Sequence, residues 1–296
     1  MIPVKRTSTP DILKQNADKW LKKLQEAIIN LEEIENDPTS SKEQIQAAKK
    51  KVKNAQDKYN PGKTAKHKIN TVKQPLYDMF SGKCAFCERK VEISAGRIEH
   101  FRPKSQYVDL TFDWNNLLYA CEVCNNAENK GNKFPLDCDG TPLLIDPTDE
   151  DCDIYQYLEF YWDEKAQLAH VNGKDKRGKV VAEILSLNRN DLIQHRSGKL
   201  KPLIVLLIQL TETRDKKARD EDASYKKAIE CLIQSCKFDE EYTAFALFYI
   251  LPYLAHAPHA LHISEAIEMI KEVGKRSPSY AKFARIDDLS SLNKYE

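Results

Sequence analysis

Glycine is scarce in this chain, with 9 in 296 residues. That argues against a fold made mostly of tight turns and leans the reading towards helix, in a composition that is 41% hydrophobic and 31% charged. No long apolar run is present. The longest, residues 202–208, is too short to span a bilayer, so no membrane association is expected. The opening Met1-Ile2-Pro3-Val4-Lys5-Arg6 has no apolar core of the signal-peptide kind, which makes the cytoplasm the expected compartment. A large charge excess is missing too. The formal net charge is +1, so the molecule as a whole is no electrostatic magnet for nucleic acid. The charge is nonetheless unevenly spread. Residues 49–83 hold ten lysines against Asp57 and Asp78, while residues 137–164 hold ten acidic residues and no Lys or Arg. Such asymmetry suits one face that meets nucleic acid and another that avoids it or meets a basic partner; two solvated faces are the plainer alternative.

The patterns that remain are mostly helical, and no internal repeat is evident. Thr9-Pro10-Asp11 is a helix start, followed by Leu13, Ala17, Leu21, Leu24, Ile28 and Leu31 at three- and four-residue steps. Asp37-Pro38 ends that helix, and Ser40 with Glu43 forms a capping box for a second, whose stripe is Ile45, Ala48, Val52, Ala55 and Tyr59. The two are expected to pack as an antiparallel hairpin with a lysine-rich outer face. A third helix is predicted over 64–80, with a kink at Pro75. Residues 114–121 read as a short apolar helix. Residues 157–171 alternate about an Asp163-Glu164 turn, as a β-hairpin does. Helices return from Asp175: a stripe of Val180, Val181, Ile184, Leu185 and Leu187, then 192–210, broken at Gly198 and Pro202, then 225–236, 240–255 and 264–273. Phe245, Phe248, Tyr249, Leu251 and Tyr253 mark core or interface. The fold class expected is α+β, predominantly helical, in three parts: an N-terminal helical hairpin with its lead-in helix (1–80), a cysteine-rich module with the β-hairpin (81–190), and a C-terminal helical region (191–296).

The chemistry concentrates in the middle part. Cys84-x-x-Cys87 and Cys121-x-x-Cys124 have the spacing of one closed, four-thiolate zinc site. In a reducing compartment these cysteines are expected as zinc thiolates rather than disulfides. Such a site would contribute roughly 10 kcal/mol in apparent terms to a turn-rich stretch that cannot build its own core. Cys231 and Cys236 are expected to be buried thiols. Four sulfurs complete the zinc's coordination, so Glu99-His100 inside the bracket is left over for other work. His256, His259 and His262 cluster around Pro258 and read as a loop rather than a metal site.

The order of residues within the bracket resembles the HNH nuclease family: Cys-x-x-Cys, Glu99-His100, Trp114-Asn115-Asn116-Leu117-Leu118, then Ala120-Cys121-x-x-Cys124-Asn125. The fuller string Glu99-His100-Phe101-Arg102-Pro103-Lys104, with residues 132–136 and Leu187-Asn188-Arg189, is similar to the HNH subunit of Septu-type anti-phage defence systems, a subunit also found with some retrons. The resemblance implies an embedded ββα-metal module that cuts DNA with one divalent ion, Mg2+ or Mn2+. It implies His100 as the base that activates water, Asn116 as the residue that orients the histidine-bearing loop, and Glu99 and Asn125 as oxygen ligands of the ion. Arg102, Lys104, Lys130 and Lys133 are expected on flanking phosphates, the family's usual lysine being either Lys130 or Lys133. An ABC/SMC-like ATPase is the partner implied, met through the acidic 137–164 stretch or the distal helices. The rival readings are a non-catalytic zinc module that binds nucleic acid or scaffolds a complex, and a nuclease directed at RNA or tRNA.

Overall fold

A lysine-rich antiparallel helix pair forms the N-terminal part of the computed structural model, which describes residues 1–58, 72–212 and 223–250. Helix α1 (Asp11–Asn36) and α2 (Lys42–Gln56) pack along their length, burying Leu13, Leu24, Ala48 and Ala55. The capping box lies one residue later than expected. Ser41 Oγ accepts from Gln44 N, and Gln44 Oε1 accepts from Ser41 N (2.7 Å). A glutamine serves here as well as a glutamate because either offers the returning oxygen. Helix α3 covers only Lys73–Met79, and Pro75 sits in its first turn, where a missing N–H costs nothing, so no kink results. Tyr59 and the remainder of the third predicted helix lie outside the described residues.

The cysteine-rich module is threaded by two short antiparallel strands, β1 (Arg97–His100) and β2 (Leu117–Ala120), with His100 opposite Leu117 and Glu99 opposite Leu118. The stretch read from sequence as a helix is therefore a turn (Trp114–Asn116) followed by β2. All four β2 residues are buried, and a continuous apolar run has no periodicity to separate strand from helix. One helical turn, α4 (Glu122–Asn125), follows. Gly96 opens β1 because nothing larger fits: a Cβ there would lie 2.0 Å from Tyr119 Oη, which donates to the carbonyls of Val91 (2.9 Å) and Glu92 (3.0 Å).

After a further turn, α5 (Ile154–Tyr157), the expected hairpin appears as β3 (Leu158–Asp163) and β4 (Leu168–Gly173). Its buried face carries Leu158, Phe160, Trp162, Ala169 and Val171. Helix α6 is Lys176–Ile184. Helix α7 runs unbroken over Asn190–Glu212, with Pro202 inside it. The residue four before the proline, whose carbonyl the ring would crowd, is Gly198, and its peptide is the one best able to tilt aside. Helix α8 (Ala223–Ser235) and the short α9 (Thr243–Phe245), continued by a π-helical turn at residues 246–250, complete the described chain. Cys236 is buried as expected, whereas Cys231 is exposed on the outer side of α8. Phe245 is in the core, and Phe248 and Tyr249 pack against it. Leu251, Tyr253, the histidine cluster around Pro258 and the helix predicted at 264–273 lie outside the described residues. One continuous apolar cluster extends from Met1 to Ile250, and no described helix is long and apolar enough to cross a membrane.

Gly96→Ala drives a methyl group into the Tyr119 ring. The variant is expected to lose about 1–3 kcal/mol, as overpacked cores do, read as a lowered midpoint in thermal or urea unfolding. A variant as stable as wild type would show that Tyr119 moves freely.

Candidate active site and metal centre

The two CxxC turns converge. The ligand sulfurs of Cys84, Cys87, Cys121 and Cys124 all lie within 4.8 Å of one another and are buried. Cys87 and Cys121 stand 3.9 Å apart, against an edge of about 3.8 Å for a tetrahedron of 2.3 Å zinc–sulfur bonds. The donor set thus fits zinc. Burial drives the Cys84 thiol up, and a cation bound by the four sulfurs would favour their thiolate forms. A residue the sequence flagged without a role completes the centre: Arg189 Nη1 points at Cys124 Sγ (3.7 Å). Burial works against its charge, but Cys124, Cys87 and Asp191 outweigh it and raise its pKa. The preceding Asn188 makes both backbone bonds of Val171, accepting from its N–H (2.9 Å) and donating to its carbonyl (2.8 Å). Leu187-Asn188-Arg189 therefore connects the β3–β4 hairpin to the cysteines.

Glu99 and His100 end β1 and line a polar pocket of about 280 Å³ together with Asn125, Lys104, Asp57, Lys73 and Arg97. His100 is buried, with Nε2 3.0 Å from the Thr111 carbonyl. A carbonyl only accepts, so Nε2 carries the proton and Nδ1 is the basic nitrogen. Burial, with Lys104 and Lys130 adding to it, lowers the His100 pKa to about 4, so the ring is neutral at pH 7. Asn116 fixes the loop that closes over it. Its Oδ1 accepts from Arg102 N (2.7 Å), and its Nδ2 donates to the carbonyls of Arg102 (3.0 Å) and Leu110 (3.1 Å).

The basic residues separate. Lys130 was expected on a phosphate, but its side chain is wholly buried. Its ammonium meets Glu99 Oε1 and donates to the His100 carbonyl (2.8 Å). An internal carboxylate needs an internal cation, and Lys130 supplies it. Even so, burial raises the Glu99 pKa to about 7, with Lys130 opposing. Lys133 stays exposed. Arg102 lies over the rings of Tyr107 (5.3 Å) and Phe134 (5.1 Å), and Lys104 pairs with Asp57 (3.3 Å). Asn125 Nδ2 donates to Glu99 Oε2. Which end of that amide faces Glu99 is set by hydrogen bonding alone, and turning it places its oxygen beside the carboxylate. Two hard oxygens side by side in a polar pocket suit magnesium or manganese.

Two short antiparallel strands and a helical turn thus stand on a four-cysteine frame, with an acid–histidine pair beside them, and this is the stretch that a nuclease family model matches. Residues 84–131 match the HNH endonuclease family model, and the chain carries an HNH endonuclease domain, which makes it a hydrolase. Among individual proteins, it is 28% identical over 212 residues to the Septu protein PtuB of Bacillus mycoides (strain KBAB4), across 63% of this chain and 68% of that one. It is 29% identical over 125 residues to the Septu protein PtuB of Bacillus thuringiensis, across 40% of this chain and 42% of the relative. A third similarity, 28% over 144 residues, is to the Septu protein PtuA of Bacillus mycoides (strain KBAB4), and spans only 19% of that protein.

Two substitutions test the site's construction. Arg189→Ala should weaken zinc retention by about 10–100-fold in a chelator competition, as removal of a ligand-supporting group does; unchanged retention would make the sulfur contact incidental. Lys130→Met strands a buried carboxylate and is expected to cost about 3–5 kcal/mol in unfolding experiments, whereas a surface lysine would cost almost nothing.

Proposed function

We propose that this chain is a metal-dependent DNA endonuclease acting as the effector of a cytoplasmic anti-phage defence complex, with an ATPase of the ABC/SMC-like kind as its partner. The observation that carries the catalytic part is the joint placement of Glu99, His100 and Asn125 in one polar pocket, with a zinc-type cysteine cluster beside it. The defence assignment rests on the similarity to Septu proteins, and the similarity to both PtuB and PtuA favours a multi-subunit assembly.

In this reading the module acts as a ββα-metal unit. Glu99 and Asn125 would hold the divalent ion, which would supply charge neutralisation at the phosphodiester. The chain's own residues do the rest. His100, neutral at working pH, receives the proton of the attacking water at Nδ1, while Nε2–H stays on the Thr111 carbonyl and keeps the ring from turning. Asn116 holds the 102–110 loop in the conformation that offers this carbonyl. Lys130 holds Glu99 in place from beneath, and Lys104 at the pocket mouth is positioned for a non-bridging phosphate oxygen.

The test is cleavage of duplex DNA, and of RNA in parallel, with magnesium or manganese and the ATPase partner present. His100→Ala should lower the rate by about 10²–10⁴-fold while leaving the zinc content intact. Equal rates for variant and wild type would remove His100 from the chemistry. Cleavage of RNA but not DNA would transfer the reading to an RNA-directed nuclease.

A further inference from the structure

The outer face of α2 carries lysines for which the pocket chemistry has no use. Residues 42–58 contain six lysines against two acids, Glu43 and Asp57. Ala48, Val52 and Ala55 face the core, and Lys49 is occupied by Glu35 (2.8 Å). Lys50 and Lys53 are exposed and form no ion pair among the described residues. Positions 50, 53 and 57 recur at helical spacing on the side away from α1, so these two lysines share a face with Asp57. Asp57 in turn lines the Glu99–His100 pocket and pairs with Lys104. At 1.5 Å per residue, Lys53 and Lys50 stand about 6 and about 10 Å back from Asp57 along the helix. A strand of duplex DNA rises about 3.4 Å per nucleotide, so the row covers about three phosphates. Lys73, Arg97 and Lys104 around the pocket continue it. Among the described residues α2 carries no aromatic ring on which an unpaired base could stack, which suits a duplex met by charge alone.

We infer that Lys50 and Lys53 of α2 bind the phosphate backbone of duplex DNA and lead it to the Glu99–His100 pocket, where the strand takes the place of Asp57 on Lys104. The inference rests on the nuclease reading for the identity of the pocket, but binding can be measured without cleavage.

The probe is a fluorescent 30-base-pair duplex titrated with the full chain in a His100→Ala background, by anisotropy, between 50 and 200 mM salt. Lys50→Glu/Lys53→Glu should bind at least about tenfold more weakly, with a salt slope shallower by about two, one for each phosphate left without its lysine. Lys50→Gln/Lys53→Gln should give the same slope change with less repulsion, and it serves if charge reversal perturbs the helix. Asp57→Asn should bind more tightly, the opposite sign. Lys165→Glu, a charge reversal on the β3–β4 turn, should leave affinity and slope unchanged. Unchanged binding in both lysine variants overturns the inference, as does an equal weakening from Lys165→Glu, or no affinity of the parent for duplex at 50 mM salt. Cleavage assays of the same substitutions with His100 restored separate the two readings. Intact cleavage with unchanged affinity in the lysine variants sinks the track and leaves the nuclease. Weakened affinity with no cleavage by any form leaves the track and sinks the nuclease.

Discussion

Four buried sulfur atoms within 4.8 Å of one another are the constraint on which the rest of this structure hangs. Packed so closely and screened from water, they cannot all ionise unless a cation joins them, and a zinc ion that does so closes the chain between residues 84 and 124 into a fixed loop. What lies within that loop inherits its rigidity. The chain leaves the first CxxC turn, enters β1, returns along β2 and arrives at the second. Ala85 N also donates to the Tyr119 carbonyl (2.8 Å), which fastens the first turn directly to β2. Glu99 and Asn125, which are 26 positions apart in sequence, thereby come within hydrogen-bonding contact.

The second organising feature is the treatment of charge beneath the pocket. The Glu99 carboxylate and the His100 imidazole are both buried here, and burial pushes both toward their neutral forms. For His100 that outcome suits a base. For Glu99 it does not suit a metal ligand, and the ammonium of Lys130 works in the opposite sense. The polar floor of the site is thus a compact set of a carboxylate, an ammonium, an amide and an imidazole anchored to backbone carbonyls, an arrangement that confers stability only while every member is present.

Much of the site was legible in the sequence because metal ligands and their neighbours obey fixed short spacings. The four cysteines converge, Glu99, His100 and Asn125 line one pocket, and Asn116 braces the loop beside it, while the roles read for them stay with the proposed function. The N-terminal helix pair and the β3–β4 hairpin were legible for a related reason, since each buries one face and so repeats with a period. The failures mark where period and residue type stop carrying information. Leu117-Leu118-Tyr119-Ala120 is buried on every side, so it has no polar face to reveal a strand. Lys130 belongs to a residue type that is almost always solvated, and only the folded structure shows that Glu99 draws it inward. The role of Arg189 rests on a contact 65 positions away in sequence. Pro202 and Gly198, each a helix breaker alone, tolerate one another within α7 because they lie one turn apart.

The residues flanking the first CxxC turn also reach far outside the module. Lys83 donates to the carbonyls of Phe238 and Glu240 and to Thr243 Oγ1, while Glu88 accepts from Ala244 N and holds the Met1 ammonium. Cys84 and Cys87 are therefore gripped on both sides by residues 238–244, through short buried polar contacts rather than a slack tether. The frame around the first CxxC turn is thus fastened to the distal region by buried polar contacts as well as by apolar packing.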